Sequence, residues 1–565
     1  MEIEGTFNIP LYYNSKKRVL DEHILTELEL LTCYDACSNS MSECLYGPKS
    51  TFKEGVQEQL LKLYTTDTVF LKQQQKIMKN MHSGEYECVC EDDILPLWSE
   101  LGNESGFNER YCYVDWAPLN FLNKNRMFLQ IMSVLNLMSP VLSFCVPFII
   151  LLIPFFIINL KGMEVSTSQY LDILKVIASQ HAIGKLFTDF SSVNINQKIY
   201  LLGSAAFYMF SIYQNVMLCN KFYTNMKQIH QYFFGLKKYI RSTLSRINSY
   251  SVLTDGLTSH SVFNAVTVKH KNILEELISK IDKISELDFS MNKLLEIGQV
   301  LEYFYSLYIS TAYKSALSWS FGFNGYIECL ICLNNNIREK KVRFCKFTAN
   351  RKKSKIVGGY HASLKEKNPI KNDLSLKCHL LITGPNASGK TTTLKATFLN
   401  LLFSQQFGGG FYLNANIAPF TYFHCYLNIP DTSGRDSLFQ AEARRCKEVI
   451  DKIIVDKEPH FCIFDELYSG TNPEEAVGSA FGLMKYLAAQ DNVTCLITTH
   501  YISLCSKLSG TKNIKNYHMK SVLGLKNNLQ YTYKLKPGIS TTKGGLHVLT
   551  KLHYPEEILN MATKA

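Results

Sequence analysis

The sequence predicts a C-terminal α/β domain on a parallel sheet, preceded by a mainly α-helical region that carries a two-helix transmembrane hairpin. Three observations support this. Short apolar runs at Leu380–Thr383, Phe461–Phe464 and Val493–Thr499 read as buried parallel strands, ending beside glycine, paired acids and histidine respectively. The first run feeds Gly384-x-x-x-x-Gly389-Lys390-Thr391, with a helical pattern from Thr392 to about Phe407. Finally, residues 127–160 and 199–220 carry no charged side chain, and each run is long enough for a helix to cross a bilayer.

Length and composition set the frame. At 565 residues the chain is expected to hold three or four units, and 46% hydrophobic with 19% charged residues is ordinary for a folded protein. A net charge of +11 is mild for this length, so charge alone does not indicate a nucleic-acid partner. The opening Met1-Glu-Ile-Glu carries acid where a secretory signal carries base. The 17 cysteines are therefore expected as free thiols in a reducing compartment, and those clustered near the N-terminus lack the Cys-x-x-Cys spacing of a zinc site.

Residues 1–125 read as a soluble, mostly helical domain: Asp21 to Leu31 and Leu60 to Leu71 have helical spacing, and Gly84 to Gly106 is an acidic, glycine-punctuated loop region. Residues 126–220 are expected to form the hairpin, with spans at about 139–160 and 199–219. Pro140, Pro147 and Pro154 would break a soluble helix but are tolerated in lipid, and Gly203 to Ala206 is a small-residue patch suited to close helix approach. Basic flanks, Lys124 and Arg126 before and Lys221 to Arg246 after, predict an integral membrane protein with both termini and the α/β domain on the cytosolic side. Residues 221–350 read as a helical lever or core region, and 351–565 as the α/β domain. The basic run Arg338 to Lys346, continued by Arg351 to Lys355, is either a solvated linker or a phosphate-backbone contact.

The candidate site follows from the strand ends. Gly384, Pro385, Asn386, Ala387, Ser388 and Gly389 form a loop whose backbone N–H groups turn inward around phosphate oxygens, while Thr392 continues the helix whose positive end faces the same anion. Lys390 reaches the β- and γ-phosphates, and the Thr391 hydroxyl holds Mg²⁺. At the second strand end Asp465 holds Mg²⁺ through water and Glu466 acts as general base on the attacking water. His500, ending the third strand, is expected beside the γ-phosphate as a sensor.

With these motifs in order, residues 351–565 resemble the ATPase domain of the MutS family, relatives of the ABC ATPases. Gly384-Pro-Asn-Ala-Ser-Gly-Lys-Thr391 is similar to the family's GPN-x-x-GK-[ST] loop, and Asn372 to Leu376 resembles its lead-in strand. Ser433-Gly-Arg-Asp-Ser-Leu-Phe439 through Glu442 resembles the signature segment, with one extra residue before Ser437 and Leu438 in place of threonine. Asp465 to Thr471, Thr499-His-Tyr501, Asn516-Tyr-His518, Lys534 to Gly538 and Gly544 to Val548 resemble the remaining motifs. The resemblance implies ATP and Mg²⁺ as cofactors. It also implies a homodimer or a pair of MutS-like subunits, joined through the ATPase domains so that the signature segment of one completes the site of the other. Ser437 is the residue implied to act across that interface, with Ser433 the other possibility, while Phe439 and Glu442 shape the segment. Pro369 stands where relatives often carry an adenine-stacking aromatic. No mismatch-reading domain is evident, Phe52-Lys-Glu54 being a weak echo of its Phe-x-Glu wedge.

The expected function is therefore that of a membrane-anchored, MutS-like protein that binds and hydrolyses ATP, from the DNA mismatch-repair and DNA-structure-binding family, with DNA a possible partner. The alternative is a nucleotide-switched membrane scaffold or motor without DNA binding. A transporter is disfavoured, because two spans are too few and the LSGGQ form of the signature is missing.

Overall fold

The computed structural model describes residues 7–564 apart from 36–37, 83, 85, 87, 104, 163–165, 181–193, 287–290, 428–436, 524–528, 541, 543–548 and 551. Ser433 and the Gly544 to Val548 motif lie outside the described residues. The chain divides into two compact units, one of residues 1–87, 245–271 and 317–565, the other of residues 88–244 and 272–316.

The first unit is organised on a six-stranded sheet. Its strands are β1 (His379–Thr383), β2 (Tyr422–Tyr426), β3 (His460–Phe464), β4 (Val493–Thr499), β5 (Ile514–Leu523) and β6 (Leu529–Pro537), in the spatial order β2-β3-β4-β1-β5-β6. Every pair is parallel except β5 with β6, an antiparallel edge. β1, β3 and β4 are buried along their whole length, which is why their sequences are apolar without alternation. A second sheet of four short strands includes Lys355–Gly359 and the expected lead-in strand, Asn372–Ser375.

The N-terminal residues are part of this unit rather than a separate domain ending near 125, as the sequence had suggested. The physical reason is a set of buried side-chain amides that pair backbone groups far apart in sequence. Gln405 donates to the carbonyls of Thr65 (3.2 Å) and Phe420 (2.8 Å) and accepts from the Phe420 N–H, while fully buried. Gln406 donates to Leu61 O (2.6 Å), Gln75 to Gly408 O (2.7 Å) and Cys345 O (2.9 Å), and the Tyr64 hydroxyl to Thr421 O (3.0 Å). Removing any one of these partners leaves a buried polar group unpaired, at about 1–3 kcal/mol each. Phe52 likewise serves the core: it is buried and stacks on Phe321 with centroids 5.1 Å apart.

The second unit is helical. Helix α1 (Arg126–Leu160) begins well before the expected span and runs unbroken through its three prolines. Among the described residues one stretch is long and apolar enough to cross a membrane, Arg126–Val146, with mean hydropathy 1.7 and 11% of its residues buried. The stretch expected as a second span lies in the 60-residue helix α2 (Ile195–Thr254) and falls short of that apolarity. Its polar groups turn to α1 instead: Asn215 donates to Ser143 Oγ (2.5 Å), the Tyr208 hydroxyl to Ser143 O (2.7 Å) and Cys219 Sγ to Leu137 O (3.5 Å). As the α1 partner number falls from 143 to 137, the α2 number rises from 208 to 219, so the two helices run antiparallel. Met138, Val141, Leu142 and Phe144 of α1 and Phe207, Phe210 and Met217 of α2 remain exposed. Near its start α1 packs on the helix Met291–Ile309 at Gly298, where a Cβ would stand 2.5 Å from Arg126 O.

Candidate nucleotide site

Strand register assembles the site. Thr383 of β1 pairs with Thr499 of β4, and Phe464 of β3 with Ile497 of β4, so the residues that follow leave the sheet side by side. These are Gly384, His500 and the pair Asp465-Glu466. Helix α3 (Lys390–Gln406) starts at the end of the glycine-rich loop, its N-cap Gly389 holding φ +92°. A side chain at Gly389 would meet that backbone strain and stand 3.1 Å from the Tyr533 ring. At Gly384 a Cβ would stand 2.9 Å from Ser388 Oγ, so the loop closes tightly on itself.

Five of the expected residues, joined by Thr498, form one hydrogen-bonded chain. Lys390 Nζ donates to Gly384 O (3.1 Å) and Pro385 O (3.3 Å) and lies 3.6 Å from Glu466 Oε1. The Thr391 hydroxyl donates to Asp465 Oδ2 (2.7 Å), and the Thr498 hydroxyl donates to Asp465 Oδ1. Thr498 also accepts from the Glu466 N–H (3.0 Å). His500 Nε2 is 2.7 Å from Glu466 Oε1 and 3.2 Å from Lys390 Nζ. It serves one at a time: protonated, Nε2 donates to the carboxylate; unprotonated, it accepts from the ammonium. Thr498 was not singled out in the sequence, although the Thr498-Thr499-His500 strand end carries the signal.

The electrostatics follow from this geometry. The hydrogen bond from His500, with the positive charge of Lys390, holds the Glu466 carboxyl below the ordinary glutamate range despite partial burial. Burial pulls the Lys390 ammonium below the usual lysine value, opposed by Glu466 and Asp465. Glu466 has φ +49°, an uncommon conformation for a residue with a side chain, and one found chiefly where surrounding structure enforces it.

The loop fits a phosphate on its own terms. Ser388 Oγ is buried and has no hydrogen-bond partner among the described residues, while Asn386 and Ala387 are exposed at the mouth. A cavity of about 950 Å³ opens over the loop, lined by Asn386, Ala387, Gly389, Lys390, Thr391, Thr392 and Glu466. Nucleotide sites are clefts of this size. Thr391 and Asp465, already in contact, offer a hydroxyl and a carboxylate, the hard oxygen donors that Mg²⁺ takes.

The described part of the signature segment, residues 437–442, lies apart from this chain of contacts. Ser437 is exposed, does not line the cavity, and spends its hydroxyl capping the helix Leu438–Val455: it accepts from the Gln440 N–H (3.3 Å), with the Gln440 side chain returning the bond to the Ser437 N–H. Glu442 is buried and accepts from the N–H groups of Ser469 (3.2 Å) and Gly470 (3.3 Å), and Phe439 packs on Tyr468. These bonds tie the helix to the turn that follows Asp465-Glu466.

Comparison with known proteins agrees with this region. Residues 380–565 match the family model described as MutS domain V. The chain is similar to the DNA mismatch repair protein MutS of Persephonella marina, at 27% identity over 37% of this chain and 24% of that protein. It is similar also to the MutS protein homolog 4 of Mus musculus, at 30% over 32% of this chain and 19% of that protein. The DNA mismatch repair protein MSH2 of Saccharomyces cerevisiae is 27% identical over 34% of this chain and 21% of its own length. The chain thus spans about a quarter or less of the length of each of these three relatives.

Proposed function

We propose that this protein is a MutS-like ATPase, turning over ATP with Mg²⁺ at the loop 384–392 and anchored in a membrane by the helices at 126–160 and 195–220. The observation that carries the ATPase reading is the single chain of contacts joining Lys390, Thr391, Asp465, Thr498, Glu466 and His500 at the ends of parallel strands. Lys390 neutralises phosphate oxygens, exchanging its bonds to Gly384 O and Pro385 O for them, and the loop N–H groups and the α3 N-terminus add to the same field. Thr391 and Asp465 hold Mg²⁺. Mg²⁺ held there would supply positive charge to offset that of the phosphates. The Glu466 carboxylate, kept ionised, orients the attacking water and takes its proton, and His500 holds that carboxylate in place. Ser437 acts from a second copy or a paired subunit across an ATPase-domain interface, consistent with its exposed position at a helix N-terminus.

Membrane anchoring is supported by apolar side chains exposed along α1 and α2, with Tyr208, Asn215 and Cys219 of α2 bonded to α1. DNA-structure recognition is supported by the likeness to proteins named for mismatch repair. The rival, a nucleotide-switched membrane scaffold without DNA, is favoured by the same exposed helices.

Glu466→Gln is expected to keep ATP binding and lose turnover by at least about a hundredfold, the usual minimum for a positioned base; a phosphate-release assay near the wild-type rate removes that role. The full chain is expected in the membrane pellet after carbonate washing, and its release would make α1 a core helix. In detergent the full chain is expected to bind duplex DNA with an affinity that falls as salt rises. Absence of binding even at low salt selects the scaffold.

A further inference from the structure

The cavity over the phosphate loop has a wall that the nucleotide reading leaves unused. Besides the loop and α3, it is lined by residues from near the N-terminus, among them Glu29, Cys33 and Tyr34, and by Pro369 and Ile370. Lys395 of α3 fixes the distance of this wall from the phosphates. It lies five residues beyond Lys390, roughly 7 Å along the helix, and its Nζ is 3.8 Å from Glu29 Oε1. The N-terminal wall therefore meets α3 beyond its loop end and closes the same cavity into which the loop opens.

The turn carrying this wall is a built feature. Glu29 holds φ +53°, and its carboxylate accepts the Cys33 thiol at 2.8 Å while facing Lys395. Its carbonyl accepts the Met41 N–H (3.1 Å), and the neighbouring Leu30 O accepts the Ser42 N–H (2.8 Å), closing the segment on itself. The hydrogen bond to Glu29 keeps the Cys33 thiol protonated to higher pH, as befits a structural donor.

Among the described residues four aromatic or imidazole rings line the cavity, and three are already engaged. Tyr360 is buried, its hydroxyl on Lys341 O and its ring edge-on to Phe411. Tyr533 stands over Gly389, against the phosphate loop itself. His361 is tied through Nδ1 to Ser363 Oγ at 2.8 Å. Tyr34 is 77% exposed and makes no ring contact or hydrogen bond among the described residues. An exposed ring on the rim of a cleft, with Pro369 and Ile370 lining the same space, offers a flat apolar surface of the kind on which bases stack.

We propose that the N-terminal segment forms the base-binding wall of the nucleotide site within the same chain, with Tyr34 as the ring on which the purine stacks. This rests on the nucleotide reading above and extends it from the phosphates to the base. It makes residues near 30 part of the nucleotide site, although they lie some 350 positions from the phosphate loop.

The test compares a ligand with a base and one without. Binding of Mg-ATP and of magnesium tripolyphosphate is measured by calorimetry on the detergent-purified full chain, as wild type, Tyr34→Ala and Tyr34→Phe. Tyr34→Ala is expected to weaken ATP about tenfold, about 1.4 kcal/mol, with tripolyphosphate unchanged and Tyr34→Phe close to wild type. Unchanged ATP affinity in Tyr34→Ala overturns the proposal, as does a parallel loss of both ligands. A wild type that binds neither ligand overturns the nucleotide reading and this wall with it. By contrast, a wild type that binds both while Tyr34→Ala is indifferent overturns the wall alone.

Discussion

The constraint on which the site depends is the register of three buried parallel strands. Because Phe464 pairs with Ile497, the next residue along each strand, Asp465 and Thr498, are neighbours, and the Thr498 hydroxyl closes on the Asp465 carboxylate. Because Thr383 pairs with Thr499, the phosphate loop and His500 leave the sheet together. A slip of one residue in either pairing would turn the strand's side chains to the opposite face and separate the lysine, the two acids and the histidine. β1, β3 and β4 are buried along their whole length, so the site stands at the end of the sheet's core.

Around that frame the chain makes a larger compact unit than its motifs delimit. Residues 7–86 are joined to it by buried amides, Gln75, Gln405 and Gln406, each pairing backbone groups that water cannot reach. Such bonds contribute modestly when made and cost more when broken, so they make the N-terminal segment inseparable from the domain behind it. Tyr34 belongs to that segment and lines the same cavity as Lys390.

Local patterns were legible in the sequence and long-range ones were not. The strand, loop and helix around Lys390 were readable because glycine spacing and apolar runs encode them within a dozen residues, and α3 ends at Gln406, within a residue of expectation. Asp465, Glu466 and His500 were readable as strand ends. The assignment of residues 7–86 was not, because it is carried by glutamines whose partners lie hundreds of positions away and whose type signals nothing by itself. Helix α1 starts at Arg126, well before the span expected near 139, and its start packs on another helix at Gly298. In α2 the side chains that weaken the apolar run, Asn215 and Tyr208, have their partners on α1, a pairing that hydropathy does not register.

The central claim is that the loop at 384–392 holds a nucleotide's phosphates through Lys390. Its most direct measurement is the thermal unfolding midpoint of the detergent-purified full chain with and without excess Mg-ATP, for wild type and Lys390→Ala. Ligand at a hundredfold over its Kd stabilises the folded form by about 2.7 kcal/mol, so the account predicts a clear rise in the wild-type midpoint and little or none in Lys390→Ala. Equal shifts in both proteins, or no shift in the wild type, would contradict it.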